Sequence, residues 1–519
     1  MRIIKTSLSV FIIGLLIFIP FSYGEKNLTL NLEDCIVKAL KDNLKIAIEV
    51  YNPEVAETRV AQSREIFMPS FELSYGNENT ETASSWWLQG EEVIQTKRWD
   101  YSASLVQQIP TGGNVSISLS NFKTDTNQSF QNFNPYYRSS LRFDFTQPLL
   151  KDFGFKVNRK NIIVARNNLD ISVNQLKTVI QDTIYRVQEA YWNLVYAREN
   201  YQVKRQSLKL AKDLLEKNLK EVEVGRLAQI EILNAQAVVA SREADLLQAE
   251  ALIRGSEDQL RNIMNLPAVG EDYKKGIIPL GKPEFVEKEI VLSELIGKAY
   301  ENRFDLKIMR KNIDTNKLNL SVAKNQLLPN LNFQVSYWSP GISGDRLKYL
   351  NDNPLTGVVV GKEEGSVSRS LSDAFNFIYN NWTVSFNLSI PLSSFLSRAA
   401  YAEAKMEMQQ ALVELEHSKK EALIEVRDAV RAINTNAKRY KAYKLSRELA
   451  EKRLEAEEKK LEVGLTTNYF VLEYQEAVSE AQSNELKALV DYNLARARLE
   501  KAMGNTLEQR NIKISQFYK

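Results

Sequence analysis

The sequence predicts a mainly α-helical chain with a transmembrane β-barrel contribution, and three observations carry that prediction. Residues 155–224 and 392–463 each run without one Gly or Pro, so each permits a helix far longer than globular domains use. Residues 381–390 alternate, with Trp382, Val384, Phe386, Leu388 and Ile390 on one face and Thr383, Ser385, Asn387 and Ser389 on the other. That is the period of a strand, and about ten residues suffice to cross a bilayer at a tilt. The chain also repeats itself: Glu223-Val224-Gly225 matches Glu462-Val463-Gly464 at a spacing of 464 − 225 = 239. At the same spacing Leu233 matches Leu472, Gln236 matches Gln475, Val239 matches Val478, Leu260 matches Leu499 and Met264 matches Met503. Each half therefore reads helix, strands, long helix, turn, helix.

Composition sets the compartment. The 519 residues carry 68 Lys+Arg against 65 Asp+Glu, a balance that gives no reason to expect nucleic acid as a partner. Arg2 and Lys5, an apolar run from Leu8 to Ile19 and Ser22-Tyr23-Gly24 read as a signal peptide over 1–24. No Cys stands at the cut to carry a lipid, and the one Cys, Cys35, lies in an amphipathic segment where it is expected to pack. Beyond residue 24 no apolar run reaches the length of a spanning helix, so an exported chain that enters a membrane must do so as a closed β-barrel. Such a barrel implies the outer membrane.

In chain order, the first repeat is expected over 25–265. Helices at 30–50 and 54–67, separated near Pro53, lead to strands over about 70–147, a long helix over about 155–224 and a helix over about 229–265. Four alternating stretches lie in the strand region, at 71–75, 99–105, 115–119 and 141–145. The connection at Thr111-Gly112-Gly113 is short, whereas 76–98 and 121–135 read as long polar loops, the asymmetry of outer-membrane barrels. Residues 266–290, with Gly270, Gly276, Pro279, Gly281 and Pro283, read as a linker. The second repeat occupies 291–504, with strands at about 331–337 and 381–390 and a polar loop between them. It closes with a long helix over about 392–463 and a helix over about 468–503; residues 505–519 form a tail. Pro329 matches Pro69 before the first strand of each half. Pro148 and Pro391 mark the places where barrel becomes helix, since Pro ends a strand ladder and suits a helix start.

Catalysis finds no support. The sole His, His417, sits among charges on a helix surface, and the carboxylates lie among Lys and Arg at helical spacing. No Cys pair, phosphate-cradling Gly loop or nucleophile elbow is present, so neither an enzyme nor a cofactor site is expected. The informative places are the turns between the paired helices. Gly225-Arg226-Leu227 and Gly464-Leu465-Thr466 form exposed tips, about 100 Å along each long helix from the strands, and suit docking to a partner. Just beyond them lie Glu231, Phe470 and Glu473. Each can be a solvated residue of a first helical turn; in an assembly around an axis, all three can ring and gate a pore.

Leu32-Glu-Asp-Cys-Ile-Val-Lys-Ala-Leu40, Gln147-Pro-Leu-Leu150 with Phe153-Gly154, Glu189-Ala-Tyr-Trp192 and the two Val-Gly tips are shared features of a known family. On them the chain resembles the TolC family of outer-membrane efflux channels over nearly its whole mature length. The resemblance implies a homotrimer that builds one shared β-barrel in outer-membrane lipid and a periplasmic α-helical barrel. It further implies export of small molecules or proteins with a periplasmic adaptor and an inner-membrane transporter. Acidic residues close family channels after the second Val-Gly; Glu473 matches one such position, and Phe470 stands where another acid can occur. The family has two strands per half, twelve per trimer, whereas four candidates in the first half leave about eighteen open. The competing reading is a soluble periplasmic coiled-coil scaffold or adaptor, which explains the helices but leaves the apolar strand faces without a core.

Overall fold

A computed structural model describes residues 27–267, 269–270, 273, 275–287, 290–513 and 517. The expected signal peptide lies outside the described residues. The chain divides into two compact units that cut across its repeats. One holds the described residues up to Leu44 with Asp182–Ile290 and Ala429–Leu499; the other holds Lys45–Gln181, Val291–Asp428 and the residues from Glu500 on. The physical reason is helix length. After the short α3 (Phe155–Asn158), α4 runs unbroken over Lys160–Glu223, and its counterpart α9 over Phe395–Glu462. At 1.5 Å per residue each rises about 100 Å, so one helix serves both units. No helix among the described residues is long and apolar enough to cross a membrane.

The larger sheet belongs wholly to the second unit. Strands β2 (Ser70–Ala83), β3 (Val93–Gln108), β4 (Asn114–Thr126), β5 (Phe133–Pro148), β7 (Asn330–Tyr349) and β9 (Asn381–Ser389) form an antiparallel run in that order. A short β8 (Val359–Glu363) pairs with the far end of β7. The hairpin β3–β4 is a full member of the sheet, paired on both sides through Leu105↔Ile117 and Ile117↔Phe143. Register keeps one apolar face continuous: Phe71, Leu105, Ile117, Phe143, Tyr337 and Trp382 follow one another across paired strands or within them. The opposite face carries Ser74, Ser102, Ser120, Ser140 and the ion pairs Arg98–Asp100 and Arg142–Asp144.

Three expectations about connections are corrected. The expected loop 76–98 is mostly strand: Asn77, Glu78 and Asn79 pair with Trp99, Arg98 and Lys97, because ladder hydrogen bonds need backbone groups rather than apolar side chains. The same holds at 121–126 and 133–135. The expected loop after Trp338 continues as strand to Tyr349 and, beyond β8, holds helix α8 (Val367–Phe375). This helix rides on the apolar face. Gly341 admits it, since a Cβ there would lie 2.0 Å from the Ser370 carbonyl oxygen. The Ser139 and Ser370 hydroxyls meet at 2.8 Å, and Phe377 packs on Phe143 and Tyr337 with centroids 6.4 and 5.8 Å away. At the other end of the chain order, Pro53 does not separate a pair of helices. It lies inside α2 (Leu44–Arg64); the break from α1 (Leu32–Asp42) falls at Asn43, whose backbone is extended and whose side-chain Nδ2 donates to the Ile263 carbonyl. In the second repeat α6 (Leu292–Asn302) and α7 (Phe304–Asn325) take the places of α1 and α2.

The first unit packs the distal halves of α4 and α9 with α5 (Ile230–Ile263) and α10 (Asn468–Ala502). Described residues of the segment expected as a linker pack against them. Its strand β6 (Ile277–Pro279) pairs in parallel with β1 (Leu28–Leu30), Ile277 is fully buried, and Phe285 stacks on Tyr440 and Tyr492. Tyr191, fully buried, accepts the Gly281 N–H at 2.8 Å. Cys35 is also fully buried, which pushes its thiol up to about 12 and leaves it unreactive.

Candidate functional site at the helix tips

Both tips are built by the same local chemistry. After α4, Gly225 takes φ +74; its N–H donates to the Val222 carbonyl and Arg226 N–H to the Glu221 carbonyl. After α9, Gly464 takes φ +74; its N–H donates to Leu461 and Leu465 N–H to Lys460. These paired bonds satisfy the last carbonyls of each helix in a Schellman cap, which needs a left-handed residue. Nothing lies within 4 Å of a Cβ added at either Gly, so conformation alone selects glycine there. The caps leave apolar side chains in solvent: Val224, Val463 and Leu465 are 68%, 69% and 77% exposed.

Behind the tips α4, α5 and α10 share a core of Ala211, Leu214, Ala235, Val471 and Leu472, against which the half-buried Leu454 and Leu461 of α9 pack. Two buried polar contacts tie the start of α10 to the first repeat. Asn468 Nδ2 donates to Asn218 Oδ1 at 2.7 Å, with both residues buried. Arg242, in α5, is 2% exposed and bridges three helices. It donates from Nη1 to the Ser207 carbonyl of α4 and from Nη2 to the Leu472 carbonyl of α10, at 2.9 and 2.8 Å. Nη1 also reaches Gln475 Oε1 at 3.4 Å, and Nε lies 3.5 Å from Glu476. Burial lowers the Arg242 pKa, which the neighbouring carboxylates Glu476 and Asp245 oppose.

The sequence-derived residues fall around this clamp. Glu473 lines a groove of about 440 Å³ between α5 and α10 together with Arg242, Tyr469 and Glu476. Phe470 lies one turn earlier, half-exposed, edge-on to Tyr469 with centroids 5.6 Å apart. Glu231 stands in the first turn of α5, half-buried; neither it nor Phe470 lines the groove. Arg226 is exposed and Leu227 half-buried, while Thr466 donates to Glu457 at 2.5 Å. The Thr466 hydroxyl and then Lys460 hold the Glu457 carboxyl below its usual range. Pro148 is the last residue of β5, facing Asn332, and Pro391 lies between β9 and α9. Arg242, Asn218 and Asn468 were missed by sequence reading. Their partners lie 230 to 250 residues away for the α10 contacts, a separation no local pattern reports.

A family model described as outer membrane efflux protein matches residues 35–266 and 295–505, one block for each repeat. The chain belongs to this family. It is 26% identical to the outer membrane protein TolC of Vibrio cholerae over 338 residues, 65% of this chain and 70% of that protein. It is 22% identical to the alkaline protease secretion protein AprF of Pseudomonas aeruginosa over 378 residues, 73% of this chain and 72% of that one. Among solved structures, the Campylobacter jejuni CmeC outer membrane channel superposes with a TM-score of 0.62 at 17% identity, covering 94% of this chain and 90% of that chain. The protein is an outer-membrane export duct with a periplasmic extension. The soluble-scaffold reading is set aside.

Proposed function

We propose that three copies assemble around one axis, their sheets sharing a β-barrel in outer-membrane lipid and their long helices forming a periplasmic tunnel. The tips Gly225-Arg226-Leu227 and Gly464-Leu465-Thr466 dock a periplasmic adaptor, which couples the duct to an inner-membrane transporter. The observation that carries this reading is the duplicated cap that holds Val224, Val463 and Leu465 in water, because exposed apolar groups at a rigid helix end favour a protein partner. Phe470 and Glu473, with Glu231, form the periplasmic gate. A ring of three phenyl groups resists wetting, and a ring of carboxylates favours cations. Proline junctions at Pro148 and Pro391 turn barrel into tunnel. The cargo is small molecules or proteins; the likeness to a protein named for alkaline protease secretion favours including proteins. The test is single-channel conductance in a planar bilayer. Phe470→Ala with Glu473→Ala raises it several-fold at unchanged assembly, and an unchanged conductance places the constriction elsewhere.

A further inference from the structure

The sheet ends at β2 and β9, and each is paired on one side only, β2 with β3 and β9 with β7. Most of their apolar side chains stand further into solvent than those inside the sheet. Phe71, Leu73 and Tyr75 are 63–71% exposed and Trp382, Phe386 and Leu388 59–71%, with Val384 at 48%, against 36–51% for Tyr101, Leu105, Val115, Ile117 and Phe143. In lipid no water satisfies the N–H and C=O groups of an unpaired strand edge, so both edges must find a partner. Six strands are too few to close around a packed interior, for which about eight are needed. The partner is therefore a second copy. Around the ring β9 runs opposite to β2 of its neighbour, because six alternating strands bring the direction back.

The internal repeat specifies the register of that seam. Across β5–β7, Pro148 faces Asn332, three residues after Pro329. The matching prolines are Pro391 and Pro69, so Pro391 falls opposite Glu72, three residues after Pro69. Stepping along, Ser389 meets Ser74, Leu388 meets Tyr75 and Asn381 meets Thr82, which uses all of β9 within the span of β2. The side-chain faces agree with this register although they were not used to derive it. Leu388 and Tyr75 are both on the lipid face, and Ser389 and Ser74 both on the polar face, where a slip of one residue would invert β9. The polar row Ser74–Ser102–Ser120–Ser140 is thereby extended by Ser389 of the neighbour.

We infer that β9 of one protomer pairs with β2 of the next in this register, and that the trimer proposed above closes eighteen strands around an open, polar pore. With strands about 4.8 Å apart and tilted about 40°, eighteen give a backbone diameter of about 36 Å, and twelve about 24 Å. Serine hydroxyls and the Arg98–Asp100 and Arg142–Asp144 pairs line that bore and leave it to water. The outer-membrane segment is then no size filter, and selection rests on the periplasmic end.

The experiment combines cysteine cross-linking with imaging, in the full chain carrying Cys35→Ser. Ser74→Cys with Ser389→Cys gives covalent dimers and trimers on oxidation, whereas Ser74→Cys with Leu388→Cys, one residue out of register, gives none. Native mass gives the copy number, and particle images give a barrel about 36 Å across. Absence of the first cross-link, or its appearance only in the second pair, overturns the seam. A trimeric mass with a barrel of about 24 Å overturns the eighteen strands and leaves the trimer standing. A dimeric mass overturns the trimer and the strand count together, whatever the cross-link shows.

Discussion

The two helix tips have the same backbone and different surroundings. Gly225 and Gly464 share φ and the same pair of capping bonds, yet the helix after each is held differently. Beyond the first, α5 begins at Ile230 with no side-chain cap. Beyond the second, Thr466 is tied to Glu457, Asn468 to Asn218, and the Leu472 carbonyl to Arg242, with Val471 and Leu472 in the core. The start of α10, which carries Phe470 and Glu473, is thus clamped by the first repeat. Repetition reproduces the cap, while the contacts to Asn218 and Arg242 form at one copy only.

The largest expected effect breaks the clamp. Arg242→Ala leaves the Ser207 and Leu472 carbonyls without their buried donor, at a cost of about 3 kcal/mol. Hydrogen exchange should rise over residues 469–476 and hardly change at 225–231; equal change at both tips would show that the clamp is not selective. A smaller effect sharpens the likeness of the two caps. Gly225→Ala and Gly464→Ala should each cost about 1 kcal/mol, and equally, because φ alone is at issue and neither site is crowded. A much larger loss at one tip, read by local exchange, would reveal a packing role there. The smallest effect concerns acid. Glu457 titrates below its usual 4.5 when folded, so its contribution is present above that value and is lost as pH falls through the folded pKa. Thr466→Val removes the first of its two stabilising partners. The acid loss of order at the second tip should then begin at higher pH, and the first tip should not respond.

Strands, long helices and tips were legible in the sequence because each has a local signature. Alternation at 381–390, the Gly- and Pro-free runs and the Val-Gly pairs report one face, one rod and one cap apiece. Loops were read too long because polar residues such as Asn77 and Glu78 hide a strand that its ladder sustains. Helix α8 escaped notice because its buried face, Ser370 and Ala374, is too small to show an apolar stripe and makes sense only against Ser139 and Gly341.

By itself the sequence determined the duplicated plan, the two-faced alternation of the strands and the glycine at each turn, since all depend on spacing along the chain. Tertiary structure alone decided that the β3–β4 hairpin enters the sheet and that Arg242 spans α4, α5 and α10. Register between strands and a buried guanidinium's choice of carbonyls both depend on residues brought together from far apart. No periodicity along one segment encodes a partner on another.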